Sequence, residues 1–287
     1  MHPLSLLLGS AAALAAYPFL EARWYRLTRL RVPIGRTISP IDILHISDTH
    51  MSASDAGLRR FLRGLNERVG HVPDLVVATG DLVEGDEGID PLVSCLGELF
   101  PTAARFYVLG SHDYYNPRFQ SYAKYFATRG RGKIRAPLAD TRRLEDGLQA
   151  AGWRSVQNTE TAVEVRDVRV RIGGVDDPYL NRHRTDHIAR APGDVLAVGL
   201  VHAPDVVSDW ILAGFDLVLA GHTHAGQVRI PGVGAVVTNS SLPASLGGGL
   251  HRIGAGWLHV SPGLGTGRFA PIRFACRPEA TLLSLTR

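Results

Sequence analysis

Residues 41–50 read IDILHISDTH, and this stretch decides the fold: a short apolar run, the length of one buried strand, stops at a polar turn carrying Asp48 and His50. The same pattern recurs in PDLVVATGD (73–81), ARFYVLGSHD (104–113), VRIGGVDD (170–177), DVLAVGLVH (194–202) and FDLVLAGHTH (215–224). Helix-like stretches, Ala56 to Val69 and Pro91 to Phe100, separate the first three runs, which gives a strand, helix, strand, helix, strand plan with crossover connections. Residues 155–177 read as hairpin strands, and GAVVTN, GWLHVSPGLG and ATLLSLT add strand in the tail. The expectation is an α/β layered sandwich of mixed β-sheets flanked by helices, filling residues 41–287 as one domain.

Composition agrees with that plan. The chain has 287 residues, 45% hydrophobic and 20% charged, which suits one large globular domain and excludes a disordered or fibrous protein. Its two cysteines, Cys95 and Cys276, lie far apart, so neither a disulfide framework nor a thiolate zinc cluster is expected. A net charge of +4 is mild for this length and does not by itself imply nucleic acid.

The reactive residues cluster where the apolar runs stop. Asp48 and His50, Asp81, His112 and Asp113, His202, then His222 and His224 all follow predicted strands, and in open α/β sheets ligands gather at the carboxyl ends of strands. Two divalent cations a few ångströms apart need a shared anionic ligand with nitrogen and oxygen donors on both sides. In D-x-H, two side chains leaving an extended strand end on the same side bring Asp48 and His50 to one ion. Asp81 then offers a bridging carboxylate, and His202, His222 and His224 add imidazoles.

Taken in order, ISDTH, GDLVEG, GSHDYY, VHAPD and GHTHAGQ resemble the motifs of the calcineurin-like metallophosphoesterase family over about residues 42–285. The tail SPGLGTGRFAPIRFACRPEATLLSL is similar to the small bacterial, membrane-associated branch. The resemblance implies a first metal on Asp48, His50, Asp81 and His224, and a second on Asp81, His202 and His222 with one further ligand. The family has Asn at that further position, where this chain has Ser111, a shorter and weaker oxygen donor. His112 matches the family's leaving-group acid, and Asp113 is expected to orient its imidazole. Imidazole and carboxylate ligands favour manganese, iron or zinc. The implied activity is hydrolysis of a phosphomonoester or phosphodiester by a hydroxide held between two metals. A metal-binding scaffold without turnover and a nuclease-like phosphodiesterase are the competing readings.

Residues 3–20 carry no charge and match the length of a membrane span, so residues 1–22 are read as an uncleaved anchor placing the protein at the cell membrane as a single-pass protein; a cleaved signal peptide is the competitor. Arg23, Arg26, Arg29 and Arg31 follow the run, which favours a cytoplasmic domain by the positive-inside rule, or else they form the solvent face of a first strand. Between Tyr114 and Ala139 six basic residues interleave with five aromatics and no acid. With the anchor, this points to a lipid-linked or membrane-proximal phosphorylated substrate, and nucleic acid is not expected as a partner. His45, His71, His183, His187, His251 and His259 lack motif neighbours and are read as structural or surface residues. Asp176 and Asp177 read as an Asp-Pro turn beside the site, and Glu84 as a solvated loop carboxylate, with an acid that supports the site from behind as the alternative.

Overall fold

The computed structural model describes residues 15–36, 39–119, 136–190, 193 and 195–287. Most of the basic aromatic segment, and most of the predicted anchor, lie outside the described residues. The strands are β1 (Arg26–Pro33), β2 (Ile41–Ile46), β3 (Leu75–Thr79), β4 (Ala104–Val108), β5 (Arg154–Ser155), β6 (Thr159–Val165), β7 (Val168–Gly174), β8 (Leu196–Leu200), β9 (Leu217–Ala220), β10 (Arg229–Ile230), β11 (Gly234–Ala235), β12 (Gly249–Ile253), β13 (Gly256–Val260) and β14 (Glu279–Thr286). They form two six-stranded mixed sheets, β1-β14-β2-β3-β4-β5 and β12-β13-β9-β8-β7-β6, and a small β10–β11 hairpin.

Alternation along fully buried strands explains the layering. In β2, Ile41 and Ile43 face the second sheet, where they meet Val170, Val198 and Leu219 in one apolar cluster. The intervening Leu44 and Ile46 point the other way, onto helices α1 (Ala56–Arg63), α2 (Leu65–Val69), α3 (Ile89–Glu98) and, further along the chain, Thr141–Ala150. On the outer face of the second sheet, Ala197 and Val218 pack under Trp210 and Phe215. Strands buried on both faces must be apolar throughout, which is why they read as continuous runs. The expected mixed-sheet sandwich with flanking helices is present.

Two local expectations change. The helical stretch from Ala56 breaks at Gly64 into α1 and α2, and Gly70 ends the second piece in a left-handed conformation (φ 82°). GAVVTN contributes only the two-residue β11, which pairs antiparallel with β10. Arg26, Arg29 and Arg31 are exposed along β1, which runs parallel to β14, and Arg23 precedes that strand. Among the described residues no helix is long and apolar enough to cross a membrane. The helical residues 15–21 end against the domain: Arg273 N donates to Pro18 O at 2.9 Å, and the buried Glu21 carboxylate accepts from Ala275 N and Cys276 N.

Candidate metal centre

The carboxyl ends of β2, β3 and β4 in one sheet and of β8 and β9 in the other deliver the site residues to one cleft. Three groupings there have ligand atoms close enough to hold an ion: Asp48–His50–His224, His50–Asp81–His112 and Asp81–His202–His222. Asp81 belongs to two of them, with Oδ2 lying 3.3 Å from His202 Nε2 and 3.7 Å from His50 Nε2. Asp48 Oδ1 is 3.6 Å from His224 Nε2.

The backbone route to this convergence differs from the expected extended strand ends. Asp48, His50, Asp81, His222 and His224 all hold left-handed φ values, between 41° and 69°. Such conformations are costly for residues with a Cβ and collect at functional sites. The turns are packed too tightly for side chains at two motif glycines. A Cβ at Gly110 would strike the Asp81 carboxylate and the His202 ring, and one at Gly221 would strike Ser47 Oγ and Asp48 Oδ2.

Three imidazoles have their outer nitrogen committed to an oxygen. His50 Nδ1 donates to Glu84 Oε2 at 2.6 Å, His202 Nδ1 donates to Thr79 O at 2.7 Å, and His222 Nε2 donates to Asn239 O at 3.3 Å. Their inner nitrogens are the ones a cation would take. His202 Nε2 faces His222 Nδ1 at 3.2 Å and Asp81 Oδ2 at 3.3 Å; the raised pKa of His202 puts a proton on that nitrogen, which a bound metal would displace. The fourth ring, His224, faces His50 at 3.2 Å and has Arg273 Nη2 at 3.3 Å from Nδ1. This donor set fits divalent cations. Burial, with His202 adjacent, lowers His222 to about 4, and burial, with His50 adjacent, depresses His224; both are neutral at pH 7, as ligands must be.

Glu84 corrects the sequence reading: it is buried beneath the site, not solvated. Its Oε2 bonds His50 and lies 3.1 Å from His112 Nδ1, while Oε1 accepts from Arg268 N. Burial alone would raise its pKa, yet the His50 and His112 rings hold it well below the usual range. Burial would likewise lower His112, but Asp81 and Glu84 overcome that and raise it to about 9. Asp113 does not contact the His112 ring. Its Oδ1 accepts from Leu82 N and Val83 N, and its Oδ2 from Gly110 N, because consecutive residues of a helical turn point about 100° apart. The carboxylate tethers the Asp81 loop to the His112 loop, and Glu84 takes the place beside His112 that Asp113 was expected to fill. Ser111 is buried at the head of its helical turn, next to His112, whose N–H donates to Asp81 Oδ1 at 2.8 Å.

Three further features emerge from the fold. Asp177 is fully buried and raised to about 7, first by burial and then by Asp81, against the pull of His202. The Tyr179 ring lies 4.9 Å from that of His222. Asp48 also terminates a run of hydrogen bonds with one allowed direction. Its Oδ2 accepts from Ser47 Oγ (2.5 Å), which accepts from Thr79 Oγ1 (2.7 Å), which accepts from His45 Nε2 (2.8 Å), leaving His45 Nδ1 to accept from His259 Nδ1 (2.9 Å).

Residues 41–226, about two thirds of the chain, match calcineurin-like phosphoesterase. An uncharacterized metallophosphoesterase of Aquifex aeolicus is 29% identical over 98% of this chain and 97% of its own length. The Escherichia coli protein named phosphodiesterase YaeI is 27% identical over 93% and 90%, respectively. A zebrafish (Danio rerio) transmembrane protein with metallophosphoesterase domain is 27% identical over 96% of this chain and 60% of its own. With the ordered motifs, the paired sheets and the cluster of metal-capable groups, the match over residues 41–226 shows that this chain belongs to the calcineurin-like phosphoesterase family, whose members hydrolyse phosphoester bonds with the help of metal ions.

Proposed function

We propose that this protein hydrolyses a phosphodiester or phosphomonoester at a two-metal centre, with Asp48, His50, Asp81 and His224 holding one ion and Asp81, His202 and His222 the other. The carrying observation is that Asp81 belongs to two of the three groupings. When bound, two cations supply a water acid enough to act as nucleophile near neutral pH and neutralise charge on the phosphoryl oxygens. Manganese, iron and zinc suit these donors. Ser111 stands where a further ligand of the second site is expected and contributes a weak oxygen at most.

The chain's own groups do the rest. His112 Nδ1 faces Glu84, so the proton on Nε2 is the one free to pass to a departing oxygen. Glu84 holds the His50 tautomer and keeps His112 charged. Asp113 is a positioning residue for the Asp81 and His112 loops. The apolar amino terminus is read as attaching the protein to a membrane, in keeping with the transmembrane relative, and its substrate as a membrane-proximal or lipid-linked phosphoester.

The test strips metal with a chelator and follows hydrolysis of p-nitrophenyl phosphate and its bis-ester as manganese, zinc or iron is restored. Restored turnover, with one ester preferred, is expected. Folded protein that binds metal and turns over neither ester, nor an oligonucleotide, sinks this reading in favour of a scaffold.

A further inference from the structure

The helical residues 15–21, the loop 266–278 and the β10–β11 hairpin meet on one flank of the metal centre. Beyond the Pro18 and Glu21 bonds, the Tyr17 ring packs edge-on against Phe274 at 5.8 Å. Phe274 pairs with the hairpin's first strand: its N–H donates to Gln227 O, and Arg229 N donates to Phe274 O. The three pieces thus form one continuous surface. Cys276 Sγ lies 3.3 Å from His224 O, which places that surface one contact from the site.

Where this surface meets solvent it is apolar. Leu20 is 68% exposed, Trp24 57%, Ile230 50% and Val233 76%, with Phe19 and Phe269 also exposed. Residues 15–24, 227–237 and 266–278 contain one acid, Glu21, which is buried, and five arginines, of which Arg23, Arg229 and Arg277 belong to the docked helix end, the hairpin and the loop. The Arg277 guanidinium lies 4.0 Å from the Trp24 ring. Exposed aliphatics and aromatics fringed by arginine, without acids, match the boundary between anionic headgroups and acyl chains.

We propose that this face docks onto one leaflet of an anionic lipid bilayer, with Ile230 and Val233 at the hairpin tip and Phe19, Leu20 and Trp24 beside them entering the headgroup region. The proposal deepens the membrane-proximal reading above and places the cleft at the lipid surface, where phosphoesters of lipid-linked compounds lie.

The test uses the full chain. Cys95 and Cys276 are buried, so a polarity-sensitive fluorophore on Val233→Cys labels one site. With vesicles of phosphatidylcholine and phosphatidylglycerol, emission at 233 is expected to shift to the blue and to be quenched by brominated acyl chains about threefold or more beyond the same label on Leu212→Cys, which is 86% exposed on the second sheet's outer helix. The double change Ile230→Asp and Val233→Asp is expected to lower vesicle partitioning about fivefold and leave hydrolysis of soluble p-nitrophenyl esters unchanged. Equal quenching at 233 and 212 overturns the proposal. So does a blue shift that needs no vesicles and grows with protein concentration, the mark of a second copy. Neither fluorescence readout involves turnover, so failure of the docking face and failure of the phosphoesterase reading are separable.

Discussion

Two kinds of facing histidine pair sit in this protein. His45 and His259 meet at 2.9 Å between the sheets, joining β2 to β13, while His202 and His222 meet at 3.2 Å at the strand ends. Burial acts on both pairs: it lowers His45, and it takes His259 down to about 3, with His251 adding to the effect. The difference is the carboxylates. No ion pair joins His45 or His259 to an acid among the described residues, and both rings serve as links in a neutral chain of donors. Beside His202 stand Asp81, Asp48 and Asp177, and Asp81 foremost among them overcomes burial and raises it well above its ordinary value. Facing imidazoles become a metal site only when anions make a cation welcome there.

The largest test of this contrast is Asp81→Asn, which removes the shared anion and keeps the shape. Metal-restored ester hydrolysis should fall on the order of a thousandfold or more, and isothermal titration should show weaker binding of both ions. Next, His112→Gln should lower kcat about a hundredfold with metal content unchanged, and the loss should shrink for esters with acidic leaving groups. Glu84→Gln should weaken metal affinity about tenfold to a hundredfold, read by competition with a chelator. The smallest effect concerns the interior pair. A histidine held neutral by burial has a folded pKa below its unfolded value, so its contribution is present above the unfolded pKa near 6.5 and is lost as pH falls toward the folded value of about 3. His259→Asn should therefore flatten the decline of the unfolding free energy, read by urea titration between pH 7 and pH 5, by at most about 1.4 kcal/mol per pH unit, and change hydrolysis little. An equal effect of Asp81→Asn and His259→Asn on metal binding would break the comparison.

Much of this was readable in the chain. Apolar runs ending in Asp and His are strong signals, because strands buried on both faces keep most polar residues for their ends, and that pattern singles out Asp48, His50, Asp81, His202, His222 and His224, which the fold brings to one cleft. What escaped depends on contacts across the fold. Glu84 looks like a loop carboxylate until His50 and His112 close over it, though its place three residues after Asp81 was a hint. Asp113 sits beside His112 in sequence but faces the other way. His45 and His259 are 214 residues apart and their pairing has no local signature.

The left-handed backbone at Asp48, His50, Asp81, His222 and His224 sets this site against the durability of the chain. Each position would be more relaxed as glycine. A library selected only for heat resistance of metal-free protein is thus expected to drift toward glycine at these residues, losing the activity as it gains melting temperature.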